Sequence, residues 1–433
     1  MSRAPNSTAG SIARRTAGEL RAFPRQFWLL SGGVVVLLSG VDMVYPFETT
    51  YLHTRLGVSM TTVGLLLGVP VLAVLPFHAV GGALTDRYGR KTAMAVATCV
   101  VVGLYSTFAF ATAVWQIAIA ITLEAAIGWA LFLTGSNAMV ADLLPHERRA
   151  EAYSITRVAL HIGMVVGPLL GGAIIAADPT FRGLFLTGAG ICAAFVVIVL
   201  ALFRETRPPE ARQHGNLVAT MAGYAVVLRD RRFLAFCAMS LLPLYGFGQI
   251  WAIFPMALRT AHGVSPRSWG FLLAFYALSV VVFQYPVIRW LRRRDHLLLM
   301  AASSALIGVG LCGAVLAPWG PLTFLFVFVL GEGVVFLIPI SSTVSAELAP
   351  VELRGRYMGA WTLVQMGGFA LGPTFGGMAM DGLGSRGAFI LVGGIGLLGA
   401  ALFALTAGHF RSAEAITAAR VIEEPLGVVP PGA

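Results

Sequence analysis

Twelve apolar stretches divide this chain, and they restrict what it can fold into more than any other feature. A helix needs about 20 apolar residues to cross a bilayer. The stretches are 27–48, 60–83, 92–112, 116–140, 153–177, 182–203, 233–256, 267–290, 297–317, 322–345, 357–380 and 387–408. Only 12% of the residues are charged, which is about half the share in soluble domains. The sequence therefore predicts an all-α membrane protein with twelve transmembrane helices.

The basic residues are concentrated in alternate connections between these spans. Of the 30 Lys and Arg residues, 25 fall on one side, together with both terminal tails. The other side keeps Arg55, Arg182, Arg259, Arg267 and Arg386. Because cytoplasmic loops carry an excess of basic residues, we expect a multi-pass protein of the cell (inner) membrane with both termini in the cytoplasm. The net charge of +10 then faces anionic lipid headgroups, and no nucleic-acid partner is expected.

An internal repeat with an offset of 205 residues relates two halves of the chain. The segment ADLLPHERRAEAY, beginning at Ala141, matches AELAPVELRGRYM at Ala346, and GMVVGPLLGG at Gly163 matches GFALGPTFGG at Gly368. The pattern predicts two pseudo-symmetric six-helix bundles, and such repeats are typical of secondary transporters. The predicted parts are an N-terminal tail 1–26, a first bundle 27–203, a linker 204–232, a second bundle 233–408 and a C-terminal tail 409–433.

The repeated glycine segments are unusual inside membrane helices. Glycines spaced by four line one face of a helix and allow a second helix to approach closely, while proline bends the helix. Because the pattern recurs in spans 5 and 11, we interpret it as a boundary that slides during a conformational change; the alternative is plain close packing. The predicted helix-seam residues are Gly163, Gly167, Pro168, Gly171, Gly172, Gly368, Gly372, Pro373, Gly376 and Gly377.

Five ionisable side chains lie well inside the predicted spans. Each costs at least about 2.5–3.5 kcal/mol to insert, so each is a functional candidate. Burial favours the neutral form of a carboxylic acid, which suits proton coupling; cation binding and a purely structural hydrogen bond are the alternatives. The candidates are Asp42, His78, Glu124, His161 and Glu332. Glu48, near the outer end of span 1, is expected at the membrane interface.

The loop between spans 2 and 3 carries a long motif. Its sequence, GGALTDRYGRK, matches the pattern G-x-L-x-D-R-x-G-R-K at Gly82, Leu84, Asp86, Arg87, Gly89, Arg90 and Lys91. With this motif and two six-span halves, residues 27–408 resemble the major facilitator superfamily. The span 5 pattern G-x-x-x-G-P-x-x-G-G resembles the motif of its drug:proton antiporters, which implies export.

The resemblance also implies roles for particular residues. In this superfamily spans 1, 4, 7 and 10 line a central cavity, which would place Asp42, Glu124 and Glu332 there. The aromatic residues implied at the cavity are Trp129, Trp251, Phe254 and Phe336.

Two conformational contacts are implied as well. Asp86 would act as a latch in one state and Arg90 would pair with Asp142, whereas Leu291 occupies the place of Asp86 in the second half. Span 5 would pack on span 8, and span 11 on span 2.

The function predicted from these features is a proton-coupled antiporter that exports lipophilic, cationic or zwitterionic small molecules by alternating access. The alternatives are a lipid or glycolipid flippase, an exporter of one metabolite, an importer, or a membrane-embedded enzyme or receptor. No catalytic signature and no metal-ligand spacing is present in the sequence. We expect a monomer without cofactors that uses the proton gradient as its energy source.

Overall fold

The computed structural model describes residues 23–207, 226–291, 294–350 and 353–423. Most of both predicted tails and the middle of the predicted linker lie outside these ranges. Within them every regular element is a helix. The first eight α-helices are α1 (Arg25–Val44), α2 (Glu48–Arg55), α3 (Met60–Tyr88), α4 (Arg90–Phe110), α5 (Val114–Leu123), α6 (Trp129–Leu143), α7 (His146–Ala177) and α8 (Arg182–Leu202). The other six are α9 (Arg231–Ala252), α10 (Phe254–His262), α11 (Pro266–Leu291), α12 (His296–Leu316), α13 (Pro321–Leu348) and α14 (Arg354–Glu423).

Ten helices in the described ranges are long and apolar enough to cross a membrane. One of them, Arg354–Gly408, has 55 residues, and the non-helical Gly384 (φ 70°, ψ 173°) divides it, so it accounts for the predicted spans 11 and 12. The apolar stretch Met60–Ala73 begins the predicted span 2. The predicted all-α membrane fold is therefore confirmed.

Two helices are interrupted in ways that matter for the acidic residues. Span 1 consists of α1, a 3₁₀ turn at Tyr45–Phe47 and α2. Pro46 lies in that turn, where proline removes a backbone donor and thereby favours a break in the helix. Span 4 consists of α5, a π-turn at Glu124–Gly128 and α6.

The chain folds into two compact units. The first contains Met1–Gly215 and Val264–Ala277, and the second contains Asn216–Gly263 and Leu278–Ala433. The beginning of α11 thus belongs to the first unit, which differs from the predicted division. The reason is local packing, because a Cβ atom at Gly172 of α7 would lie 2.8 Å from the carbonyl oxygen of Pro266.

Each unit has its own helix packing and its own aromatic core. In the first unit α1 packs on α7 and α8, and α4 packs on α6 and α8. The ring of Phe185 lies 4.7 Å from Tyr51 and 5.0 Å from Phe108. In the second unit α12 packs on α13 and α14, and α9 packs on α14, where Phe236 contacts Trp361 at 5.3 Å.

Candidate functional site

Glu124 begins the π-turn of span 4. Its carboxylate folds back along the helix, because a Cβ atom at Gly128 would lie 2.7 Å from its Oε1 atom. The backbone N–H of Trp129, directly after the turn, donates a hydrogen bond to the same carboxylate. Glycine at position 128 therefore leaves the room that this carboxylate occupies. Such π-turns occur frequently at functional sites.

The acids of span 1 lie on both sides of its 3₁₀ turn. Asp42 is in the last turns of α1, and its Oδ2 atom is buried without a hydrogen-bond partner among the described residues. Glu48 is the first residue of α2 and is only 3% exposed. The 3₁₀ turn carries the chain onward as helix and keeps this side chain inside the unit; its expected depth at the membrane interface stays a prediction.

Span 1 and span 4 bring two of these acids together in the first unit. Glu48 and Glu124 lie within electrostatic range of each other. Tyr105 of α4 lies within range of Asp42, Glu48 and Glu124, and its hydroxyl donates to the carbonyl oxygen of Val41 at 3.2 Å. We call Asp42, Glu48 and Glu124 the first-unit acids. Like charges repel strongly in a low-dielectric interior, so a bound proton or cation would relieve the repulsion between Glu48 and Glu124.

Glu332 stands in the second unit, in the middle of α13. Its Oε1 atom is buried and has no hydrogen-bond partner among the described residues. The next residue, Gly333, packs tightly on α12: a Cβ atom there would lie 2.8 Å from the amide nitrogen of Ile307. Ser303 of α12 also donates to the carbonyl oxygen of Gly333 at 2.7 Å. Glu332 is thus fixed on a rigid helix with an unsatisfied carboxyl oxygen.

The predicted histidines add little to this arrangement. The Nδ1 atom of His161 lies 2.8 Å from the carbonyl oxygen of Arg157, one turn earlier in α7, which is a local bond within the helix. The side chain of His78, like Gly82, falls in residues 74–83, outside the part of the chain whose side chains are described. A relay role for either residue remains a prediction.

The four aromatic candidates differ in exposure. Trp129 is 38% exposed, whereas Trp251, Phe254 and Phe336 are buried. The ring of Phe254 lies 5.6 Å from that of Phe389 within the second unit, and its side chain is 1% exposed. Phe254 is therefore a core residue, contrary to the cavity role that the resemblance implies.

The charged motif after span 2 forms the network that the resemblance implies. The Nε atom of Arg90 lies 3.0 Å from Oδ2 of Asp142, and its Nη1 atom lies 3.1 Å from Oδ1 of Asp86. The Arg90 side chain is 7% exposed, whereas that of Asp86 is 54% exposed. The predicted Arg90–Asp142 pair is confirmed, and Arg90 holds both carboxylates together. The other charged residues of the motif are Arg87 and Lys91, and both lie at its exposed side.

Six of the repeated glycines pack against a neighbouring helix of their own unit. A Cβ atom at Gly163 would lie 2.5 Å from Cβ of Leu38 in α1, and one at Gly167 would lie 2.7 Å from the Asp42 carbonyl carbon. The repeat in α14 has the same geometry. A Cβ atom at Gly368 would lie 2.5 Å from Cβ of Leu244 in α9, and one at Gly372 would lie 2.6 Å from the Gly248 carbonyl carbon.

The glycines spaced by four face span 1 or span 7, because these helices approach within backbone contact. Gly171 likewise contacts Met43, and Gly376 contacts the side chain of Gln249. Gly172 and Pro168 contact span 8, at Pro266 and Gly270. The role of these residues as a boundary that slides stays a prediction. The prolines Pro168 and Pro373 lie inside α7 and α14.

Metal ligation finds no support in the described part of the chain. No group of three or more His, Cys, Asp or Glu residues there could hold a metal ion, and the four cysteines form no disulfide.

Apolar helices of membrane-spanning length, with carboxyl groups buried among them, define a polytopic membrane protein. The chain belongs to the major facilitator superfamily, whose family model matches residues 30–248 and 236–426. The multidrug resistance protein MdtH of Photorhabdus laumondii subsp. laumondii is 29% identical over 374 residues, covering 84% of this chain and 88% of MdtH. A Na⁺, Li⁺, K⁺/H⁺ antiporter of Planococcus maritimus is 25% identical over 352 residues, covering 74% of this chain and 81% of the antiporter.

Solved structures agree on the fold. The crystal structure of the nucleoside transporter NupG aligns with a TM-score of 0.74 at 14% identity and covers 88% of this chain and 99% of NupG. At that identity the likeness concerns the fold alone. With relatives that are transporters across most of their length, this chain is a membrane transporter.

Proposed function

We propose that this transporter is a proton-coupled antiporter that exports lipophilic, cationic or zwitterionic small molecules by alternating access. The observation that carries the proposal is the burial of Glu48 beside Glu124 in a unit built from membrane-spanning helices. Ion pairs or hydrogen bonds normally accompany buried charges. Glu48 has neither among the described residues, so a proton or a cationic substrate is its simplest counter-charge.

Competition for the same carboxylates would produce exchange. When the first-unit acids bind a proton, their attraction for a cation falls, and when a cation enters, like-sign repulsion expels the proton. Each ligand then leaves on the side where the other binds. Glu332 supplies a comparable carboxyl in the second unit. Export, rather than uptake, is inferred from the resemblance of the span 5 motif and from the similarity to a multidrug resistance protein.

Transport of a fluorescent lipophilic cation into or out of proteoliposomes under an imposed pH gradient tests this proposal. Wild-type protein should move the dye only when the gradient is present. Glu48→Gln and Glu124→Gln should each lower gradient-driven transport at least about tenfold, the effect of losing a group used in the transport step. Glu332→Gln tests the second unit in the same way.

Asp178→Asn is the matched control. Asp178 lies in the short connection between α7 and α8, where its carboxylate accepts hydrogen bonds from the hydroxyl and amide of Thr180 at 2.6 and 3.0 Å and from the Gly183 amide at 3.1 Å. These bonds, the Thr180 hydroxyl first, hold the pKa of Asp178 below its ordinary value. It stays ionised at neutral pH and carries no proton, so its variant should transport normally.

Other outcomes identify other functions. Dye movement that ignores the gradient, or unchanged transport in all three Glu→Gln variants, would contradict proton coupling. Exchange of Na⁺ or K⁺ for protons without dye movement would point to the activity named for the Planococcus relative. Movement of a labelled lipid between leaflets would indicate the flippase alternative.

The membrane topology belongs to the same proposal. The 25 basic residues on one side favour a cell-membrane protein with both termini in the cytoplasm, working as a single copy. Reporter fusions at the two ends, active only in the cytoplasm, test the orientation, and light scattering in detergent tests the copy number.

A further inference from the structure

The residue that precedes the first turn of α4 cannot cap this helix. Its N-cap residue is Gly89, at φ 96°, which has no side chain to accept the free N–H groups of the turn. The first N–H groups of any helix lack partners within the helix and need an acceptor from elsewhere. Here the turn also bears Arg90, the side chain that holds Asp86 and Asp142 together.

Glu205 supplies the missing acceptor from 115 residues away. Its Oε1 atom accepts the N–H of Arg90 at 2.9 Å, and its Oε2 atom accepts that of Lys91 at 3.2 Å. A carboxylate is favoured at this end of a helix because the helix dipole is positive there. Glycine at position 89 is required for this contact, because a Cβ atom there would lie 2.7 Å from the Glu205 carboxyl carbon.

The residues next to Glu205 make further hydrogen bonds near the start of α4. Its Oε1 atom also accepts the N–H groups of Thr206 at 3.0 Å and Arg207 at 3.1 Å. Arg207 in turn donates from Nη1 to the carbonyl oxygen of Arg87 at 2.5 Å, and Gln26 of α1 donates to the carbonyl oxygen of Arg204 at 2.5 Å. We call residues 204–207 the linker clasp.

The linker clasp also reaches the ion-pair network. The hydroxyl of Thr206 donates to Oδ2 of Asp142 at 3.1 Å, the same oxygen that receives Nε of Arg90 at 3.0 Å. Arg90 is therefore held twice, at its backbone by Glu205 and at its side chain by Asp142. The linker clasp takes part in both interactions: Glu205 accepts the Arg90 N–H, and Thr206 donates to Asp142.

We propose that Glu205 is a positioning residue for transport, which caps α4 from the linker and thereby fixes Arg90 between Asp86 and Asp142. The inference rests on the proposed transport cycle for its functional part. A movement of the linker should then disturb the ion pairs between α3 and α4 directly, because Glu205 and Thr206 of the linker clasp bind Arg90 and Asp142.

Amide hydrogen exchange on the full-length transporter tests the contact without any transport. In Glu205→Ala, the amides of Arg90 and Lys91 should exchange about fivefold faster than in wild type, as expected for the loss of a helix cap. Glu205→Gln keeps an acceptor oxygen and should lie between the two. Asp178→Asn changes a carboxylate whose hydrogen bonds lie at the connection between α7 and α8, so it should leave these two amides unchanged. Unchanged exchange in Glu205→Ala would overturn the proposal.

A double-mutant comparison tests whether Glu205 acts through Arg90. Asp142→Ala should raise the same exchange rates in wild type and add little in the Glu205→Ala background, because residues of one network are not additive. Additive effects would overturn the positioning role. This result stands even if wild-type protein moves no lipophilic cation, an outcome that would contradict only the proposed function.

Transport kinetics distinguish a positioning role from a purely structural one. Glu205→Ala should lower the maximal rate about fivefold at an unchanged half-saturation concentration, since the cap touches no substrate. Glu205→Gln should recover part of the rate. Faster exchange with an unchanged maximal rate would show a cap that matters only for structure and would overturn the proposal.

Discussion

The two bundles begin their third helices in different ways. In the second unit α12 follows Asp295, whose Oδ1 atom accepts the N–H groups of Leu297 at 2.9 Å and Leu298 at 3.1 Å. In the first unit α4 follows Gly89 and takes its acceptor from Glu205. The first N–H groups of the helix therefore find their acceptor in the adjacent residue in one bundle and in a distant residue in the other.

The neighbouring ion pairs differ in the same sense. Asp142 and Glu347 correspond through the 205-residue offset. Asp142 pairs with Arg90, which is 7% exposed, whereas Glu347 pairs with His296 at 3.0 Å between side chains that are 45% and 28% exposed. The repeat has kept the carboxylate, but only the first bundle has buried its partner and tied it to the linker. Among the described residues, the first network contacts the linker clasp through Glu205 and Thr206.

The largest difference is expected for the basic partners. Arg90→Ala leaves Asp142 partly buried without its counter-charge and should cost about 3 kcal/mol or more of unfolding free energy. His296→Ala should cost well under 1 kcal/mol because its pair is exposed. Unfolding in mixed micelles, followed by tryptophan fluorescence, measures both. Equal losses would show that burial does not separate the two networks.

A second difference is expected for glycine at the start of α4. Gly57→Ala, at φ 66° with open space around it, should cost about 1–2 kcal/mol from backbone strain alone. Gly89→Ala places alanine at φ 96° and ψ 157°, a region that essentially only glycine adopts, and it also displaces the Glu205 carboxylate, so it should cost at least about 1 kcal/mol more. The same unfolding assay measures both variants. If Gly89→Ala loses no more unfolding free energy than Gly57→Ala, the contact between position 89 and Glu205 does not require glycine.

The local cap of the second bundle should have a moderate and confined effect. Asp295→Ala should cost about 1 kcal/mol and speed amide exchange at the start of α12. Transport should stay close to wild type, in contrast to Glu205→Ala, because Asp295 caps α12 through the adjacent residues Leu297 and Leu298. A transport defect as large as that of Glu205→Ala would show that the capping mode makes no functional difference.

The smallest effect is expected at the exposed pair. Glu347→Gln should change the unfolding free energy by less than about 0.5 kcal/mol, the usual size for an exposed ion pair. Its counterpart Asp142→Asn should cost several times as much, because Oδ2 of Asp142 receives both Arg90 and Thr206. Measuring the unfolding free energy of Glu347→Gln and Asp142→Asn in one assay tests the difference between the two networks, because both changes are nearly isosteric.

Much of the fold could be predicted because its signals are local. Apolar length identifies the spans, Pro46 marks the break in span 1, and the repeat offset pairs the two halves. The Arg90–Asp142 pair was also within reach, but only through the resemblance, because its two residues lie 52 positions apart on different helices.

The parts that sequence reasoning missed depend on distant contacts or on direction. Hydropathy indicates the depth of Glu48 but not the course of the 3₁₀ turn that buries its side chain within the unit. The spacing of Gly163 and Gly167 predicts a close neighbour without saying which, and the neighbour is span 1. Glu205 lies in a polar stretch that indicates only a linker, and nothing in its surroundings points to α4.

The π-turn at Glu124–Gly128 has a consequence for reading this helix in relatives. Its bonds run to the fifth residue rather than the fourth, so the turn holds one residue more than a regular helix of the same rise. Everything from Trp129 onward is consequently rotated out of the phase set by α5. A relative with an uninterrupted α-helix here would align only through a one-residue gap in the middle of a transmembrane span, and a helical wheel drawn through Glu124 would assign the faces of α6 incorrectly.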